Sequence, residues 1–127
     1  MKYLLTVLLL FSLTQADEFE HHSKKHIQKE LSHIKLKKEQ KKELKSILKA
    51  FRTDLKSYQK LKKRVQKEKE QLFLEEHINI KRLQQLDFML NKKAKEIENS
   101  FLLQMHHLLT PKQRKQFIRH FDDWEVE

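Results

Sequence analysis

The sequence predicts an all-α protein, and three observations carry that prediction. There is no glycine and only one proline, Pro111, so the residues that punctuate sheets and hairpins are almost missing. Apolar residues recur every three or four positions through two long segments. Charged residues, 36% of the chain, fill the other faces of those segments. The expected architecture is an elongated helical hairpin with short terminal helices.

The first sixteen residues read as a signal peptide. Lys2 is a short positive region, Leu4 to Leu13 is apolar, and Thr14-Gln15-Ala16 places small residues where a signal peptidase needs them. The apolar run falls short of the roughly 20 residues that a spanning helix requires. Cleavage before Asp17 and export to the periplasm are therefore expected, with no stable membrane insertion afterwards. Cleavage leaves 27 Lys and Arg against 18 Asp and Glu, a net charge of +9. An exported basic chain seldom meets chromosomal DNA, so nucleic acid gives way to acidic proteins, anionic lipid heads and unfolded chains as partners.

The absent residues exclude whole classes of chemistry. Without cysteine there is neither a disulfide nor a thiol nucleophile. Without glycine there is no phosphate loop, dinucleotide fingerprint or nucleophile elbow. The adjacent acids Glu75-Glu76 and Asp122-Asp123 show no sign of a pocket that would shift their pKa values. The chain is not expected to be an enzyme, and it requires no cofactor.

Residues 17–25 read as a flexible polar segment, and residues 26–124 as the helical domain. Ile27, Leu31 and Ile34 suggest a short first helix. Leu36, Leu44, Ile47, Leu48, Phe51, Leu55, Tyr58, Leu61 and Val65 then form one apolar stripe of a long helix. Lys45, Lys49, Lys56, Lys60, Lys62 and Lys63 make its solvated side basic. The pattern loses phase within residues 68–79, where a turn is expected. From Ile80 the stripe resumes through Leu83, Leu86, Leu90, Ala94, Ile97, Phe101, Met105 and Leu108. This near-heptad spacing marks a helix packed lengthwise on another. Beyond Pro111 a last helix offers Phe117, Ile118, Phe121 and Trp124 before an acidic tail at residues 125–127. So slender a core favours a homodimer, with a monomeric antiparallel hairpin as the alternative.

The boundary between those last helices has its own chemistry. Thr110 can cap the N-terminus, Gln113 can reach back to the Thr110 N–H, and Pro111 falls at the first helical position. The frame Leu109-Thr110-Pro111-Lys112-Gln113 recurs in weakened form at Leu36-Lys37-Lys38-Glu39-Gln40, where Lys37 stands in place of the threonine.

Two such frames around two long helices, after a signal peptide, resemble the LTxxQ family of periplasmic proteins. That family comprises Spy- and CpxP-like proteins and the related ZraP and CnrX metal-stress proteins. The resemblance implies a cradle-shaped antiparallel dimer with a basic concave face. It implies an ATP-independent chaperone or envelope-stress accessory that holds unfolded or misfolded envelope proteins. It also brings in the periplasmic domain of a sensor histidine kinase as a partner. Leu36, Gln40, Leu109, Thr110, Pro111 and Gln113 are then structural, and Lys45, Lys49, Lys56, Lys60 and Lys63 are the candidate basic face.

The alternative is a metal-binding stress sensor or buffer. His22 and His26 are spaced for one helix face, and Met105, His106 and His107 cluster before the second frame. Imidazole suits zinc, copper and nickel alike. In the metal-sensing relatives a His-x-x-x-Met precedes the second frame, but here Phe101 occupies the histidine position. That sensor site is therefore not carried over, and Met105 also fits the apolar stripe.

Overall fold

The computed structural model describes Leu31 and residues 34–126, with residues 120, 122 and 123 by backbone alone. The expected signal peptide, the segment 17–25, His22, His26 and Glu127 lie outside the described residues. The chain divides into two compact units, 1–35 and 36–127. In the first, Leu31 and Ile34 are buried, and the Ile34 N–H donates to the Leu31 carbonyl at 3.1 Å.

The second unit is all-helical among its described residues. Helix α1 spans Lys38–Leu74, α2 spans Ile80–Leu108 and α3 spans Pro111–Phe117, followed by a 3-10 helix over Ile118–Trp124. At 1.5 Å per residue, α1 and α2 are rods of roughly 55 and 44 Å. They pack antiparallel across a turn at residues 75–79, within the window where the apolar pattern lost phase.

The packing follows from residue spacing. In α1 the buried residues Leu44, Phe51, Tyr58, Val65 and Leu72 recur at every seventh position. In α2, Leu86, Ala94, Ile97, Phe101, Met105 and Leu108 face them, and Leu86 and Met105 are 1% exposed. Near the turn, Val65, Leu72 and Leu86 form a layer with Leu61, Leu83 and Leu90 packed around it. Ile80 departs from the expected stripe and is 53% exposed, so the packed stripe of α2 starts at Leu83. Asn79 caps that turn by accepting the Arg82 N–H at 3.0 Å.

Two ion pairs cross the hairpin near the turn. Arg82 grips Glu68 in a fork, Nε to Oε1 at 2.8 Å and Nη2 to Oε2 at 3.0 Å. The hydrogen bond to Glu68, and then its charge, raise the Arg82 guanidinium above its ordinary pKa. Lys69 pairs with Asp87. These contacts fix the register of the two rods more than they stabilise the fold.

The other end of the hairpin is aromatic. Phe101 lies 4.4 Å from Phe51 and 4.7 Å from Trp124, centroid to centroid, and Phe117 stacks on Trp124 at 5.6 Å. The last helix does not continue regularly beyond Phe117. The backbone tightens to 3-10 geometry, which brings Trp124 inward and leaves Ile118 and Phe121 exposed, so two of its four expected apolar contacts are not made. The Trp124 indole N–H finds no protein acceptor in this cluster. Behind Trp124, the Val126 N–H donates to the buried Glu98 carboxylate at 3.4 Å, tying the end of the chain to α2.

The aromatic cluster carries a direct test. Phe101→Ala should lower unfolding free energy by about 3–5 kcal/mol in urea titrations. Phe121→Ser, at an exposed position, should change it by less than about 0.5 kcal/mol.

Candidate binding surface

The two repeated frames meet in space. Gln40 lies in the first turn of α1 and Gln113 in the first turn of α3. Each side-chain oxygen accepts the backbone N–H three residues earlier, from Lys37 to Gln40 at 2.9 Å and from Thr110 to Gln113 at 2.9 Å. Each side-chain amide then donates to the other glutamine's oxygen, at 2.9 Å from Gln40 and 3.2 Å from Gln113. The Gln40 amide also reaches the Leu108 carbonyl at 2.9 Å. This pseudo-symmetric clasp joins the start of α1, the end of α2 and the start of α3.

Neighbouring residues complete it. The Thr110 hydroxyl accepts the Gln113 N–H at 3.3 Å, closing the expected capping box, with Pro111 at the first helical position. Lys37 can form only half of such a box, because an ammonium has no lone pair to accept with. Leu109 is buried and Leu36 half-buried beside these caps. Arg114 donates from Nε at 3.1 Å and from Nη2 at 2.8 Å to the His106 carbonyl, satisfying another orphan acceptor at the end of α2.

The long faces of the hairpin are open. Lys45, Lys49, Lys56, Lys60 and Lys63 are all exposed on α1. The sequence reading missed a set of exposed apolar side chains. Phe88 is 68% exposed, Met89 40% and Leu103 59% on α2, and Phe73 and Leu74 are each 77% exposed at the turn. A signal was present, since Phe88 and Met89 fall between the stripe positions Leu86 and Leu90 and so cannot face α1. A shallow groove lined by Ile47, Phe51, Asp54, Ser100, Phe101 and Gln104 contains one carboxylate, that of Asp54.

Of the metal candidates, Met105, His106 and His107 fall among the described residues. Met105 is 1% exposed, with its thioether packed in the core. His106 and His107 are exposed with ring centroids 6.2 Å apart. Among the described residues no group of three or more His, Asp or Glu side chains is placed to share a metal ion. No helix among them is long and apolar enough to cross a membrane.

No family model matches the chain, and no curated protein or solved structure matches it.

The clasp predicts energetic coupling between residues far apart in sequence. Gln40→Ala and Gln113→Ala should each lower stability by about 1–2 kcal/mol, through a lost cap and an unpaired partner. A double-mutant cycle by urea denaturation should return a coupling of at least about 0.5 kcal/mol, whereas independent caps would give additive losses.

Proposed function

We propose that this chain is an LTxxQ-type periplasmic protein that holds unfolded or partner proteins without ATP, as a chaperone or envelope-stress accessory. Two observations carry the reading, exposed lysines along the outer face of α1 and exposed Phe88, Met89 and Leu103 on the outer face of α2, which a client chain meets by wrapping the hairpin. The lysines attract acidic segments over a distance of about a Debye length, and the apolar side chains supply loose, non-directional contact. A surface of this kind holds chains of many sequences and releases them without an energy source. The reciprocal glutamine clasp supports the resemblance, because it gives both frames one shared structural role.

In this reading the protein is a cradle-shaped antiparallel homodimer, and the periplasmic domain of a sensor histidine kinase is a further partner. The structural motif residues Thr110 and Gln113 do not touch the client. The alternative is a metal-responsive sensor or buffer. Among the described residues it would rest on His106 and His107 alone, with His22 and His26 as its other donors. Isothermal titration with zinc, copper and nickel separates the two, since a micromolar site would favour the alternative.

The test is suppression of aggregation of a chemically denatured client at equimolar protein. Suppression should occur in 0.1 M salt, weaken several-fold in 0.5 M salt, and fall again in a Phe88→Ser, Met89→Ser, Leu103→Ser variant of unchanged helicity. An aggregation trace unaffected by the wild-type protein would remove the reading. Sedimentation equilibrium at micromolar concentration should give twice the chain mass.

A further inference from the structure

Helix α1 carries two periodicities at once. Its buried seam, from Leu44 to Leu72, repeats every seven residues, which corresponds to 3.5 per turn. Its basic residues Lys38, Lys42, Lys45, Lys49, Arg52, Lys56, Lys60, Lys63 and Lys67 are spaced by three or four, averaging the 3.6 of a straight α-helix. At 100° per residue they lie within an arc of about 80°, along roughly 44 Å of the rod. Every residue in that arc between positions 38 and 67 is basic. Eight are exposed lysines, and Arg52 at the edge of the arc is half-buried.

The seam drifts around the helix axis by about 20° per heptad while the basic line stays parallel to it. Lysines that merely solvated the rod would have no reason to keep to one line. The line contains no apolar or aromatic side chain, so it neither inserts into hydrocarbon nor stacks on bases. Its lysines act as point charges, whereas one arginine supplies a planar fork. A flexible polyanion can bend to meet scattered charges and does not require collinear ones. A flat surface touches a rigid rod only along a line.

We propose that α1 docks lengthwise, through this line, onto the anionic headgroups of a lipid bilayer. Each lysine then sits at headgroup level, in the negative surface potential of the leaflet. The line stops where acidic residues begin. Glu70 falls in the same arc, and Glu75 and Glu76 are exposed at the turn, so the hairpin tip is held off the surface. Peripheral docking of this kind uses lysines that the proposed client holding also uses, so bilayer and acidic client segments compete for the line, and it needs no spanning helix.

The test is co-sedimentation of the chain from Asp17 to Glu127 with vesicles of phosphatidylcholine containing 30 mol% phosphatidylglycerol. Partitioning should be strong in 0.1 M NaCl, at least about ten-fold weaker in 0.5 M NaCl, and absent on pure phosphatidylcholine. A Lys45→Gln, Lys49→Gln, Lys60→Gln, Lys63→Gln variant should lose more than about twenty-fold. A second variant of equal net charge, Lys81→Gln, Lys92→Gln, Lys112→Gln, Lys115→Gln, should stay within about three-fold of wild type, with helicity of both checked by circular dichroism. Equal losses in the two variants would overturn the line in favour of net charge. Tighter binding to inorganic polyphosphate or a 20-base-pair DNA duplex than to the anionic vesicles would overturn the bilayer as its partner.

Discussion

The fold of the second unit depends on the pairing of Gln40 with Gln113. Two packed rods bury a single seam, and the termini of three helices converge where that seam ends. Each terminus brings orphan backbone groups that must find partners. The clasp satisfies the Lys37 and Thr110 N–H groups and the Leu108 carbonyl using only two side chains. Glutamine suits this task because its amide offers donor and acceptor together and its length spans one helical turn. A glutamate would lack the donor that crosses to the other helix, and an asparagine would fall short of the cap.

Once the clasp sets the direction of α3, the aromatic cluster follows. Phe117 lies nearly two turns beyond Thr110, and the 3-10 segment after it swings Trp124 onto Phe51 and Phe101. The shift to 3-10 geometry lengthens the rise per residue over Ile118–Trp124 and re-aims the side chains, so that Trp124 is buried while Ile118 and Phe121 are exposed. Glu98 then anchors the chain beyond Trp124 through the Val126 N–H. The polar clasp and the aromatic cluster therefore act in series, the first orienting and the second burying.

Much of this was legible in the sequence because it rests on local rules. The helical class, the α2 boundary at Leu108 and the capping box at Thr110 follow from spacing and from capping chemistry that spans three residues. The turn was located only to a window, since Leu72, Phe73 and Leu74 are consecutive apolar residues and periodicity does not say which one faces inward. The structure buries Leu72 and exposes the other two, because only Leu72 continues the heptad from Val65. The pairing of Gln40 with Gln113 was out of reach for a different reason. The second frame was recognisable as a cap and the first as its weakened repeat, but a contact across 73 positions is set by the geometry of the whole hairpin. The exposed Phe88 and Met89 were legible in principle, since they fall between the stripe positions Leu86 and Leu90, and only their exposure had to come from the placed helices.

The division of labour along α1 explains how so charged a helix remains a single rod. Thirteen lysines and arginines in 37 residues would repel one another if clustered near the seam, where water is scarce. Nine of them are gathered instead on the far side, where water and counterions screen them, while Glu68 and Lys69 near the turn are neutralised across the hairpin by Arg82 and Asp87. Self-repulsion along the solvated line still raises the free energy of the folded rod. An anionic surface laid against that line would remove the repulsion and add attraction, so docking and helix stability should reinforce each other. The same reasoning applies to acidic segments of a held protein, which meet the line one short stretch at a time. A continuous surface engages all of it together, and the regular spacing of the lysines is the feature that only such a surface uses in full.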